Sequence, residues 1–505
     1  MQDTDFDDRS ATPSAWRFAR ATRAHVVVDA ADYFTLMEEA MMAARQRIHL
    51  VGWDFDTRAR LEPGRRRRRD GEGRRRPPAR LGRFIIWLCR RRPQLQVRVL
   101  KWNFGALKFV FRGSMILDLI RWYLTPQIDF KFDSAHPLGC SHHQKIVTID
   151  DCFGVCGGID MTSDRWDTPE HKEDDPRRKR PDGRKLYGPW HDMTMMLEGP
   201  AAGAIAALAR DRWRAAGGEP LQACKEQDGT AWPERLKAEF TDVEIGIART
   251  RAAYRDCGEI REIENLFVEH IGRAKRFIYA ESQYFASRVI AEAIAKKMAE
   301  PDPPDIVIIN PETADGWLEQ AAMDGARVQL CHAIGRHDPG NRFRIYLPYN
   351  AAGTAIYVHS KMMIVDDAIL RIGSANMNNR SLGLDSECDV FIDAERPGNE
   401  QAVAAIRNLR ARLLAEHTGL PFDQVAAALV DGQSMHDLIA RAPDNGKRLE
   451  PFVLQELTEA EKTVADNALL DPERPEEMFE PIHKRRGLFR RGGWLRRPER
   501  GDSRA

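Results

Sequence analysis

The chain lacks any uninterrupted apolar run of ~20 residues, the length a membrane-spanning helix requires, so no such helix is expected. Its first residues, MQDTDFDDRSATPSAWRFARA, are acidic and polar with no apolar centre, so a secretory signal is not expected either. The eight cysteines (Cys89, Cys140, Cys152, Cys156, Cys224, Cys257, Cys331, Cys388) form no CxxC pair and no zinc-ligand spacing, and they read as free thiols. Cys152 and Cys156, in an apparent strand, would share a face. An excess of one charge is missing too. With 77 Lys and Arg against 76 Asp and Glu, the overall field steers the chain toward no nucleic acid. These absences predict a soluble, cytoplasmic protein of a reducing compartment, with no nucleic-acid partner and no obligate protein partner.

Positive charge is nevertheless clumped. RRRRR at 65–69, RRR at 74–76 and RRKR at 177–180 read as solvated loops. The tail KRRGLFRRGGWLRR at 484–497 sets Leu488, Phe489, Trp494 and Leu495 among cations. That composition suits the surface of an anionic bilayer, and a peripheral contact at the inner membrane face is expected from it. The polar stretch 168–188 reads as a mobile loop over a site or an inert surface insertion.

A chain of 505 residues suggests two or three domains, and this one is written twice. HVVVD (25–29) reads as a strand, ADYFTLMEEAMMAARQ (31–46) as a helix and RIHLVGWDF (47–55) as a strand. The order recurs in VEIGIART (243–250), EIREIENLFVEHIGRAK (259–275) and RFIYAESQYF (276–285). Each copy adds another helix and strand, at 87–103 and 289–311. Alternating strands and helices predict an α/β layered fold. The expected units are a flexible N-terminus at 1–20, a first domain at 21–238 and a second at 239–425. Residues 426–505 follow as a helix, spanning 422–440, and a partly disordered basic tail.

Each copy carries one unusual stretch: SHHQKIVTIDDCFGVCGGID at 141–160 and VHSKMMIVDDAILRIGSAN at 358–376. As β-hairpins they place His143 and Lys145 on one face of a strand, and His359 and Lys361 likewise. The returning strands bring back Gly157 and Gly158, or Gly373 and Ser374, small residues that leave room for a ligand. Asp160 and Asn376 follow, able to hydrogen-bond. Asp150 and Asp366 fall at the corners and read as structural. Such a pattern twice in register is not coincidence.

Two lysines are fixed cations for an anion. Of two imidazoles, one can attack while neutral and the other can protonate a leaving oxygen. A phosphodiester suits that set, and no metal or other cofactor is expected, because the lysines neutralise the phosphoryl oxygens. A nucleophilic imidazole also needs its other nitrogen held. Asp192 in PWHDMTMML and Glu387 in DSECDVFI are the candidates, with His191 and Asp385 as neighbouring alternatives.

These residues resemble the phospholipase D superfamily, whose motif is HxKxxxxDxxxxxxGSxN. His359, Lys361, Asp366, Gly373, Ser374 and Asn376 match in full; His143, Lys145, Asp150 and Gly157 match, with Gly158 and Asp160 in place of Ser and Asn. GWDFDTR (52–58), GGIDMTSDRWD (157–167), PWHD (189–192), ESQYF (281–285) and NNRSLGLDSECD (378–389) extend the resemblance over residues 20–420. It implies two tandem α/β/α sandwich domains related by a pseudo-twofold, with one shared active site. It further implies His143 as nucleophile and His359 as acid then base. Lys145, Lys361, Asn376 and Ser374 would bind phosphoryl oxygens, while Asp192 and Glu387 would orient the histidines. The implied reaction is headgroup-side cleavage of a phospholipid. Phosphatidyl transfer of the cardiolipin-synthase type, nuclease action and an inactive membrane-binding scaffold are the alternatives.

Overall fold

The repeated strand–helix–strand pattern folds into one palindromic sheet. The computed structural model describes residues 12–454 except 65–75, 104–113, 184, 227–228, 314–316 and 444. The arginine run at 65–69, most of that at 74–76 and the 484–497 tail lie outside the described residues.

From the middle outward, the first half runs Arg17–Val28, Met193–Glu198, Phe153–Gly157, Ile146–Ile149, Arg47–Gly52, Gln96–Trp102, Ile128–Asp133. The second half repeats this order step for step: Phe240–Arg251, Glu387–Asp393, Ile369–Gly373, Met362–Val365, Phe277–Glu281, Asp305–Ile309, Phe343–Tyr349. The two innermost strands pair antiparallel, from Arg17 with Ile247 to Ala24 with Phe240. Equivalent strands related by a twofold must pair in that sense, so the pseudo-twofold passes between them. The two α/β halves therefore share one continuous sheet.

Helices Ala30–Ala43, Leu81–Arg91 and Ser114–Tyr123 belong to the layer on one face of the first half, and Glu262–Arg273, Arg288–Met298 and Trp317–Gly335 to that of the second. Pro200–Ala215 and Ala402–Thr418 lie on the other face, in an apolar cluster shared by both halves. Ile205 and Leu208 sit in it with Leu409, Leu413, Ile364 and Val390. At ~1.5–3 kcal/mol per buried aliphatic side chain, a core crossing the join makes the halves one unit.

Two boundaries differ from the sequence reading. The first strand begins at Arg17 rather than residue 25, and Ala15 is buried in the second half's core, so residues 12–20 belong to the fold. The helix expected at 422–440 is two, Phe422–Val430 and Met435–Ala440, parted at Gly432, whose φ is +78°. Beyond them Arg448–Pro451 pairs antiparallel with Phe343–Tyr349. The second half thus extends to Pro451, not residue 425. A four-residue edge strand holding Arg, Glu and Pro carries no alternation by which to recognise it.

Asp150 and Asp366 are structural, as their position suggests. Asp150–Asp151 and Asp366–Asp367 all have φ between 51° and 57°, the left-handed pair at the centre of a turn closed by Cys152 N–H to Ile149 O at 3.1 Å and by Ala368 N–H to Val365 O at 2.9 Å. Each first carboxylate also accepts three backbone N–H groups where the neighbouring strand begins. Asp150 takes those of Arg45, Gln46 and Arg47, each at 2.7 Å. Asp366 takes those of Lys275, Arg276 and Phe277 at 2.7–2.9 Å.

Candidate active site

The site is assembled by segments that cross between the halves. Tyr357–Val358, leading into the second motif, pairs in parallel with Trp190–His191 of the first half. His142, leading into the first, bridges to Ser386 of the second half. His143 N–H donates to Ser386 O at 2.9 Å and His359 N–H to His191 O at 2.8 Å. Each motif histidine therefore lands beside a carboxylate of the opposite half. His143 Nδ1 lies 2.9 and 3.0 Å from the oxygens of Glu387, and His359 Nδ1 2.7 Å from Asp192 Oδ2. Asp192 and Glu387 are thus where an orienting role needs them. The alternatives are spent elsewhere: Asp385 holds Ser141 N–H and Arg380, while His191 Nε2 turns to Glu281.

The lysines sit inside the site. Lys145 Nζ donates to His143 O at 3.0 Å and lies 3.3 Å from Asp160 Oδ2; Lys361 Nζ donates to His359 O and to Gln283 Oε1. Asn376 is buried with its Oδ1 unpartnered. Side-chain exposures of 14% for His143 and 8% for His359, against 0% for Glu387 and Asp192, make the imidazole the reachable member of each pair.

Two expectations are corrected. Ser374 does not present its hydroxyl to a phosphoryl group; it donates to Glu387 Oε2 at 2.5 Å, and Ser381 to Oε1 at 2.7 Å, so both hydroxyls hold the carboxylate. The glycines do not clear space for a ligand. A Cβ at Gly158 would meet Asp192 Oδ1 at 2.1 Å, at Gly373 Asp389 Oδ1 at 1.8 Å, and at Gly157 the Thr194 backbone at 2.4 Å. This explains the departure of the first motif: Gly158 admits Asp192 where Ser374 supports the longer Glu387.

Burial draws both imidazoles well below their usual pKa, and the lysines push the same way, joined at His359 by Arg165. Burial likewise raises Asp192 to about 6 and Glu387 to about 7, and lowers Lys361 to about 7. Burial thus disfavours charge on each of these groups. An arriving anion supplies the negative charge that strengthens the cations.

Trp53 meets His143 edge-on at 6.3 Å and stacks on Trp102; Trp190 lies 5.2 Å from His359 and stacks on Tyr357. Sequence reasoning gave none of these walls a role, although Trp53 and Trp190 lie in the quoted GWDFDTR and PWHD stretches.

Comparison with known proteins agrees with this geometry. Residues 127–297 match the family described as phospholipase D, and residues 267–410 the cardiolipin synthase, PLD-like domain. The chain belongs to the phospholipase D superfamily. Among similar superfamily members, phospholipase D alpha 1 of Nicotiana tabacum is 26% identical over 55% of this chain and 49% of its own. Phospholipase D alpha 2 of Oryza sativa subsp. japonica is 24% identical over 76% of this chain and 63% of its own. The chain therefore spans about half the length of curated relatives it matches. The crystal structure of phosphatidylserine synthase from Haemophilus influenzae Rd KW20 shares the fold, with a TM-score of 0.51 and 12% identity over 82% of this chain and 94% of its own. No helix among the described residues is long and apolar enough to cross a membrane.

Behind His359 the superfamily site is backed by a buried cluster that can hold a divalent cation. His171 Nε2 lies 3.6 Å from Asp29 Oδ2 and 3.2 Å from Glu416 Oε1; His191 Nδ1 lies 3.2 Å from Asp29 Oδ1 and 3.0 Å from Glu416 Oε1. These contacts join two nitrogens to three oxygens, and one donor atom from each of the four residues lies within 4.8 Å of the rest, a mixed nitrogen and oxygen set of the kind that binds a divalent cation. The second ring nitrogens point to carboxylates, His171 to Asp167 at 3.0 Å and His191 to Glu281 at 2.9 Å, the outer support that ligand histidines need. Asp29 Oδ2 is buried without a hydrogen bond. Burial opposes a proton on His171, but Asp29, Asp167 and Glu416 outweigh it and raise this histidine to about 9. One divalent cation can replace the protons that the cluster otherwise takes. Metal analysis of desalted protein should then find one cation per chain, lost in Glu416→Gln. A metal-free chain whose melting ignores added zinc and calcium contradicts this.

The cluster also corrects the reading of residues 168–188. His171 is fully buried in it, and Arg178, equally buried, bonds Asp167 and the carbonyls of Lys172 and Glu173. The segment is pinned at two points rather than free.

Proposed function

We propose that this chain is a phospholipase D-type phosphodiesterase that cleaves glycerophospholipids on the headgroup side through a phosphohistidine. The observation that carries the reading is the crossed pairing of two imidazoles with Glu387 and Asp192 around two buried lysines. Each imidazole with its Nδ1 on a carboxylate keeps Nε2 for chemistry.

In the first step His143 Nε2 bonds to phosphorus. The bond from phosphorus to the headgroup oxygen breaks; that oxygen takes the electron pair and the Nε2 proton of His359, which enters this step as an imidazolium paired with Asp192. Glu387 stabilises the cation formed on His143. Lys145, Lys361 and Asn376 bind the phosphoryl oxygens. In the second step His359 takes a proton from water, or from an alcohol in transfer. The new P–O bond forms as the N–P bond breaks, and the electron pair returns to His143.

The rate should be bell-shaped in pH. Below pH 6 to 7 Asp192 and Glu387 gain protons and cease to stabilise imidazolium; above about 7 Lys361 loses its charge. A kcat/KM that stays flat from about pH 5 to about pH 9 contradicts the assignment. The function itself is tested by product analysis on phosphatidylcholine, phosphatidylglycerol and single-stranded DNA, with and without a primary alcohol. Phosphatidic acid, or a phosphatidyl alcohol, is the expected product; cleavage of DNA alone overturns the lipid reading.

A further inference from the structure

The walls beside the two histidines differ. Trp53, against His143, has no cation over it among the described residues. Trp190, against His359, has one. Tyr357 stacks on it at 4.6 Å and 20°, and the Arg165 guanidinium carbon lies 4.2 Å from the ring centre. The indole thus carries a guanidinium as well as a stacked phenol ring. Arg165 has no carboxylate partner among the described residues. Its one hydrogen bond runs from Nη1 to the Asp164 carbonyl at 3.2 Å, while the Asp164 carboxylate pairs with Arg180. Arg165 Nε and Trp190 Nε1 are both buried donors without an acceptor. Buried N–H groups are rarely left so, and a half-buried guanidinium without a counter-ion is a place for an anion. On the adjoining side Gln283 links Tyr357 OH, at 2.8 Å, to Lys361.

We propose that Arg165, held over Trp190, reads the headgroup leaving at His359 and selects one carrying an anionic oxygen group, a carboxylate or a second phosphate. This rests on the lipid reading above, in which the headgroup oxygen departs toward His359. The same arrangement works against choline. A quaternary ammonium is bound by an open aromatic face, and here Arg165 covers that face and repels the cation.

The test compares the full-length chain with Arg165→Gln and Arg165→Lys on phosphatidylserine, cardiolipin and phosphatidylcholine, in neutral-detergent micelles of matched total charge. The native chain should favour an anionic headgroup over choline in kcat/KM by about tenfold, and Arg165→Gln should erase that preference while phosphatidylcholine cleavage holds or rises. Arg165→Lys, with its charge but not its fork, should keep the direction of preference. Phosphatidylserine alone being favoured identifies a carboxylate, and cardiolipin alone a second phosphate. An equal loss on all three lipids in Arg165→Gln, or a lysine variant without preference, overturns the subsite and leaves the lipid reading standing. Cleavage of none of the lipids by the native chain removes both.

Discussion

His143→Ala is expected to lower turnover about 10^4-fold or more and to abolish any covalent phospho-enzyme, whereas His359→Ala should still form one. The difference follows from the two roles. An activated diester such as bis-p-nitrophenyl phosphate needs no acid to expel its phenolate, so without His359 the first step proceeds. The second stalls, because nothing removes the proton from water. His359→Ala should therefore release one p-nitrophenol per chain in a burst and stop; His143→Ala should show no burst. The opposite pattern would exchange the two roles while leaving the site intact.

Glu387→Gln should be nearly as damaging, by about 10^2–10^4-fold, and its effect should track His143, which lies in the other half. An amide in that place no longer stabilises imidazolium, yet it keeps hydrogen-bonding capacity toward Ser374 and Ser381. The loss should fall on formation of the phospho-enzyme, and Asp192→Asn should instead slow steps that require His359. Removing an ionisable group that burial penalises costs little stability, so thermal unfolding should hold or rise while activity falls. If each carboxylate served the histidine of its own half, the effects would be reversed. Paired rates of burst and steady state distinguish the cases.

Much of this could be read from the chain because it is local. His143 and Lys145, and His359 and Lys361, share strand faces by parity alone, and the repeat order of strand and helix predicts the sheet. Asp150 and Asp366 betray their place because Asp-Asp between two apolar runs makes a hairpin corner. The crossing was not legible. That Glu387 faces His143 depends on the bridge of His142 to Ser386, a contact between segments that no periodicity links. Ser374 was misplaced for the same reason, since its partners Glu387 and Cys388 arrive on a neighbouring strand. His171, in a polar stretch that reads as a loop, gave no sign that Asp29 and Glu416 enclose it.

The central claim is that two halves make one site, in which a single phosphorus atom passes over His143. Rapid quenching of the native chain during turnover, followed by peptide mass spectrometry under conditions that preserve phosphohistidine, tests it directly. The predicted result is one substrate-derived phosphoryl group per chain, on the peptide carrying His143. Adducts on His143 and His359 of the same molecule, or none on either, would contradict it.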